Sequence, residues 1–189
     1  MGSDSQLRVL LVAEGSGGHL VPALQVAGAL ASAGVHAKVW YAARPQTAPL
    51  AAALVQGLTT ESVDVEPIPG ALVRGAGRLW HSVQLWRHAE RCVETFAPDV
   101  VVGFGGWVCA PVVLAAKRRR IACVLHEQNL VMGRTNRWLV RWVDRVAVSF
   151  TDTQALPKCT SSVITGLPVR QGIGAGSRVA AENKSRAQG

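Results

Sequence analysis

A doubly wound α/β domain built on a parallel sheet is the fold the sequence predicts, on three observations. Short apolar runs alternate with longer amphipathic ones along the chain, the pattern of strands wrapped by helices. The short runs are continuous in Val, Leu and Ile, which suits strands buried on both faces. Two of them run straight into glycine-rich turns, Glu14-Gly15-Ser16-Gly17-Gly18-His19 and Gly103-Phe104-Gly105-Gly106-Trp107, each followed by a helical pattern. With 189 residues, 49% of them hydrophobic, the chain can bury one full core but rarely two.

The elements follow in order. A first strand over 7–13 leads through the first glycine turn to a helix over 22–33, with Pro22 in its first turn and Gly34 just past its end. A second strand covers 36–41, a helix 50–56 and a third strand 63–68. The amphipathic stretch 79–96 reads as a helix, 100–104 as the fourth strand, and 111–119 as the helix after the second glycine turn. Strand 122–125, helix 133–142 and strands 145–148 and 162–164 complete the series. Residues 171–189 are rich in Gly, Ala and charge with no apolar period, so the domain is drawn at 1–170 and the rest as a linker or tail.

Composition narrows the function classes. Two stretches lack charge, 15–37 and 100–116, but Gly and Pro interrupt both, so neither reads as a membrane span. The first residues carry Asp4 and no basic run, unlike a secretory signal, which makes a cytosolic chain the default. Cys92, Cys109, Cys123 and Cys159 form no CxxC pair, so buried reduced thiols are expected rather than a metal site or disulfides. The net charge of +8 fits nucleic acid, phosphorylated ligands, an anionic membrane or plain solubility. Nucleic acid is set aside because the basic residues follow no recognised binding module.

The two glycine turns carry the chemistry. A glycine turn between a strand and a helix lets a ligand approach the backbone and aims N–H groups and the helix dipole at negative charge. In a parallel sheet both turns fall on the carboxyl edge, where ligands bind in this fold class. A dinucleotide is disfavoured, since the third glycine of GxGxxG is missing after Gly15-Ser16-Gly17 and the second strand ends in Trp40-Tyr41 without an acid. His19 falls at a helix start, where a neutral imidazole can accept a proton. On position alone, a helix-start polar residue bonding nearby backbone accounts for it slightly better. His126-Glu127-Gln128-Asn129 closes the fifth strand with four polar residues, expected either to face a cleft or to bond neighbouring loops. No second His follows at HExxH spacing, so no metal is expected.

Together these pieces resemble a family. The matching stretches are Gly15-Ser16-Gly17-Gly18-His19 with Pro22, Pro98 to Trp107, His126-Glu127-Gln128-Asn129 with Gly133, Thr135, Asn136 and Arg137, and Thr165-Gly166-Leu167-Pro168-Val169-Arg170. In this order they resemble the N-terminal, acceptor-side domain of the MurG-type glycosyltransferases of family 28. The resemblance implies a Rossmann-like half of a GT-B enzyme whose donor-binding domain lies outside these residues. It implies metal-free, cofactor-free, inverting transfer of GlcNAc from UDP-GlcNAc to lipid I, giving lipid II for peptidoglycan. By that resemblance His19 is the base or its support. Ser16, Gly17, Gly18, Asn129 and Arg170 match donor contacts, and Gly105, Gly106, Trp107, Glu127 and Asn136 match cleft positions. Glu14 in place of the usual glycine puts a carboxylate beside a phosphate-facing turn. Trp107 replaces a tyrosine, and Leu167 replaces an asparagine.

The charge then has a place. Leu79, Trp80, Val83, Trp86 and Arg87 combine aromatic and basic residues on one helix, which suits a membrane interface. The resemblance implies peripheral docking on the cytoplasmic face of the inner membrane. Lys117 to Arg120, with Arg137, Trp138, Arg141 and Trp142, either extend that patch or leave the tryptophans in the core. The expected partners are UDP-GlcNAc, lipid I, an anionic leaflet and a donor-domain chain. A non-catalytic membrane-bound scaffold is the competing expectation.

Overall fold

The protein is described by a computed structural model covering residues 6–42, 63–67, 78–157 and 160–168. Seven parallel strands form one sheet in the order β3-β2-β1-β4-β5-β6-β7. They are β1 (Arg8–Glu14), β2 (His36–Ala42), β3 (Val63–Pro67), β4 (Val100–Gly103), β5 (Ala122–Glu127), β6 (Arg145–Val148) and β7 (Ser162–Ile164). The helices among the described residues are α1 (Gly17–Ser32), α2 (Arg78–Phe96), α3 (Cys109–Arg118) and α4 (Arg134–Leu139), with a 3₁₀ turn at Val140–Trp142. The expected helix at 50–56, and the tail at 171–189, lie outside the described residues.

Alternation along β1 builds two cores. Leu10 and Val12 pack on one face with Leu85, Ala89 and Val93 of α2 and Val112 and Val113 of α3. Val9, Leu11 and Ala13 pack on the other face with Leu20, Ala23, Leu24 and Ala27 of α1. Successive side chains of a strand point to opposite faces, so a run of five apolar residues in the centre of the sheet feeds both layers. The strand order reverses direction of growth at β1, whose neighbours are β2 and β4. That reversal opens a crevice at the carboxyl edge between the turns that leave β1 and β4.

Of the boundaries that differ from expectation, three have a clear physical reason. Helix α1 begins at Gly17, not at Pro22, because the Leu20 N–H already bonds the Ser16 carbonyl at 2.9 Å. Pro22 therefore lies inside the helix, and the positive helix end falls within the glycine turn itself. Strand β5 runs on through His126 and Glu127, which pair with Ala147 and Val148; their polar side chains do not stop the backbone ladder. The predicted helix over 133–142 ends as α4 at Leu139 and tightens into a 3₁₀ turn.

Cys92, Cys109 and Cys123 are buried thiols outside any disulfide; Cys159 lies outside the described residues. Burial pushes both Cys109 and Cys123 up to about 12, so neither is a thiolate nucleophile. No helix among the described residues is long and apolar enough to cross a membrane.

Candidate functional site

At the crevice the second glycine turn wraps around side chains delivered by the first. Gly105 and Gly106 both adopt left-handed backbone, with φ of +100° and +85°, a conformation costly for residues with a Cβ. A Cβ on Gly105 would stand 2.9 Å from both Cδ2 and Nε2 of His19 and 3.6 Å from Nδ2 of Asn136. One on Gly106 would collide with the Cβ of Glu14 and come within 2.8 Å of its Oε2. The turn is held from below by the Cys109 thiol, which donates to the Gly105 carbonyl at 3.1 Å and lies 3.3 Å from the Val12 carbonyl. Glu14 is thus buried against the second turn.

Opposite stands a loop organised by one carboxylate. Glu127 is 1% exposed, and four N–H groups converge on it. Its Oε1 accepts from the backbone N–H and Nδ2 of Asn129, and its Oε2 from the Gly133 N–H and Asn136 Nδ2, all at 2.9 Å. A carboxylate so fully bonded is paired in the sense that buried charge requires. It folds residues 128–133 back over the strand end and fixes both asparagines. Asn136, 2% exposed, keeps its Oδ1 without a protein donor.

Beneath the loop His126 lies against the Phe104 ring, 5.3 Å between centroids, with Nε2 3.4 Å from the Gly166 carbonyl. Burial holds its imidazole below the ordinary 6.5, against smaller raising effects from the Gly166 carbonyl and Glu127. His126 is therefore a neutral packing residue.

The cleft between these walls has a volume of about 230 Å³ and is lined by His19, Gly105, Gly106, Glu127, Asn129, Gly133, Arg134, Thr135 and Asn136. Six residues expected at the site are brought together there. Ser16, Gly17, Gly18 and Trp107 do not line this cleft; Ser16 meets it through His19, whose Nδ1 is 2.7 Å from the serine Oγ. Trp107 is 47% exposed, and Arg170 lies outside the described residues. Arg134 and Thr135 were given no role by sequence reasoning. The need of Glu127 for donors, which folds the loop back and turns the start of α4 inward, was the signal that would have found them. Among the described residues, no group of three or more His, Cys, Asp or Glu is placed to hold a metal ion.

The membrane candidates divide. Val83 is 45% exposed and Arg87 is exposed, while Trp86 is partly covered by the Arg118 guanidinium, 5.7 Å from its ring. Leu79 and Trp80 lie on the first turn of α2, their side chains outside those described. Trp138 and Trp142 are 43% and 45% exposed, so they are surface residues and not core.

A seven-stranded parallel sheet with its site at the crossover beside β1 is the Rossmann-like half of a GT-B glycosyltransferase. The model of the glycosyltransferase family 28 N-terminal domain matches residues 9–148, and the chain belongs to that family. It is 35% identical over 179 residues to an enzyme of Desulforamulus reducens named UDP-N-acetylglucosamine–N-acetylmuramyl-(pentapeptide) pyrophosphoryl-undecaprenol N-acetylglucosamine transferase, covering 88% of this chain and 45% of the relative. The enzyme of the same name from Zymomonas mobilis is 35% identical over 171 residues, covering 87% and 42%. Among solved structures, Acinetobacter baumannii MurG superposes with a TM-score of 0.66 at 30% identity, covering 84% of this chain and 45% of that one. A UDP-GlcNAc 2-epimerase from Neisseria meningitidis has a TM-score of 0.67 at 14% identity, covering 96% and 53%, a likeness of fold alone. The chain spans less than half the length of the two transferases it matches.

Proposed function

We propose that this chain supplies the acceptor-side half of a UDP-GlcNAc transferase that converts lipid I to lipid II in peptidoglycan synthesis. The observation that carries this reading is the placement of His19 in one cleft with Asn129 and Asn136, whose side-chain amides Glu127 holds in place. In the proposed step the C4 hydroxyl of the muramyl sugar attacks the anomeric carbon of GlcNAc. Its proton passes to Nε2 of His19 while the bond from that carbon to the diphosphate oxygen breaks, the electron pair leaving with UDP. One displacement inverts the anomeric centre. The N-terminus of α1 and the cleft residue Arg134 suit the stabilisation of developing diphosphate charge. Asn129 and Asn136, held by Glu127, orient the sugars; Glu127 itself acts as a positioning residue because its oxygens are already engaged.

The donor-binding half comes from outside the described residues, as a continuation or a partner. The exposed apolar residues Val163, Ile164 and Leu167 around the edge strand β7 suit a surface for it. Val83, Trp86 and Arg87 of α2, with Arg118, Trp138 and Trp142, suit an anionic leaflet, each basic side chain near it contributing about 1 kcal/mol. In this reading the chain docks on the cytoplasmic face of the inner membrane.

The test supplies the chain with a donor-binding half, labelled UDP-GlcNAc and a short-chain lipid I analogue. Labelled disaccharide is expected, and His19→Ala should lower its rate about 10²- to 10⁴-fold while the fold is retained. A docked partner that gives no transfer overturns the reading. One observation favours a non-catalytic, membrane-bound scaffold instead: the buried Glu14 carboxylate at the second turn. Liposome co-sedimentation without binding of either substrate would select that alternative.

A further inference from the structure

We propose that Ser16 is a positioning residue for His19: its Oγ accepts the Nδ1 proton, so that Nε2 is the basic nitrogen presented to the cleft. The inference rests on the proposed role of His19 as base. Three observations carry it.

The first is distance and economy. Oγ and Nδ1 are 2.7 Å apart, a hydrogen bond that holds one proton between them. A neutral imidazole has one N–H and one lone pair, so whichever nitrogen carries the proton decides what the other can do. If Nδ1–H donates to the serine, Nε2 keeps the lone pair that a hydroxyl proton needs. If the serine donates instead, Nε2 carries the proton and the ring becomes a donor toward the cleft.

The second is that Ser16 has given up its usual task. It is the residue preceding α1, with extended φ −78° and ψ 145°, and its side chain makes no capping bond to the helix. A serine here ordinarily accepts a first-turn N–H, worth about 1 kcal/mol. The His19 N–H goes to the Ser16 carbonyl at 3.0 Å instead. The hydroxyl has been diverted from the backbone to a side chain three residues on, a spacing that brings it over the imidazole.

The third is that the ring is fixed from its far side. The Cδ2 and Nε2 atoms lie where a Cβ on Gly105 would come to 2.9 Å. With Nδ1 on the serine and this edge against the turn, rotating the ring would break the serine contact and drive different atoms into Gly105. The orientation that places Nε2 by the cleft is therefore the one both contacts select.

The test is the tautomer of His19 in the full ¹⁵N-labelled chain, read at neutral to mildly alkaline pH from long-range ¹H–¹⁵N correlations, with His19→Gln assigning the signals. A protonated Nδ1 with an unprotonated Nε2 is expected. Ser16→Ala should lose that preference, the ring moving toward the Nε2–H form, and Ser16→Thr should restore it. A protonated Nε2 in the unaltered chain overturns the proposal even if Ser16→Ala fails to fold, and so does a tautomer unmoved by a folded Ser16→Ala. Failure of GlcNAc transfer with the Nδ1–H form intact counts against the proposed reaction and leaves the serine's role standing, so the two failures are separable.

Discussion

The two glycine turns share an edge of the sheet but divide the labour. The first, after β1, is where side chains originate: Glu14, Ser16 and His19 all leave it, and at Gly18 an added Cβ would meet nothing within 4 Å. The second, after β4, contributes room. Gly105 and Gly106 are left-handed and have no space for a side chain because His19 and Glu14 occupy it. Sequence reading treats the two alike, as backbone cradles for phosphate. The geometry instead makes the second turn a mould around the first.

The hardest test of that division is Gly106→Ala. Left-handed strain of about 1–2 kcal/mol adds to a clash with the Glu14 Cβ that costs about 1–3 kcal/mol, so a loss of about 2–5 kcal/mol is expected in urea unfolding. Glu14→Gly should recover the steric part in the double variant, leaving the backbone strain. Strict additivity of the two changes would break the comparison. Gly105→Ala comes next, with a loss of about 2–4 kcal/mol from the same two sources. It should also displace the His19 ring, visible as a shift of its NMR signals.

A smaller effect separates the turns by pH. His126 underlies the second turn through Phe104, and its imidazole is held below 6.5. The unfolded chain therefore binds a proton that the folded one refuses. Stability is full above pH 6.5 and falls as the pH drops below it toward the folded value, by at most about 1.4 kcal/mol per pH unit. In His126→Leu that part of the slope should vanish from unfolding curves measured across the window. The least effect is expected at the first turn: Gly18→Ala, inside α1, should stabilise by about 0.5–1 kcal/mol or leave stability unchanged. If it nevertheless abolishes UDP-GlcNAc binding, the space at Gly18 belongs to a ligand.

Much of the scaffold was legible because hydrophobic runs and turns report it directly. Every described strand overlaps a predicted one, with 145–148 and 162–164 matching residue for residue. What escaped notice depends on hydrogen bonds and packing that composition and period do not encode. A pair of glycines looks like a turn, yet Gly17 and Gly18 are helical once the Ser16 carbonyl accepts from Leu20. Glu127 reads as a cleft acid until its four donors are counted. The covering of Trp86 by Arg118 and the exposure of Trp138 and Trp142 follow from helix packing that local patterns do not encode. Arg134 and Thr135 reach the cleft only because that carboxylate pulls the preceding loop inward.

The central position of β1 also sets a timetable for synthesis. Its first edge pairs with β2, at Arg8 with His36, but its second edge must wait for β4, where Val9 meets Val100. At about 5–20 residues per second on the ribosome, that edge stays open for roughly ten seconds. During that time Leu10 and Val12, which end in the core with α2 and α3, have no layer to cover them. An unpaired apolar strand edge is a template for intermolecular pairing. The nascent chain is therefore most exposed to aggregation, and most in need of a chaperone, in the interval before Gly103 emerges, and a stall placed there should lower its soluble yield more than one placed later.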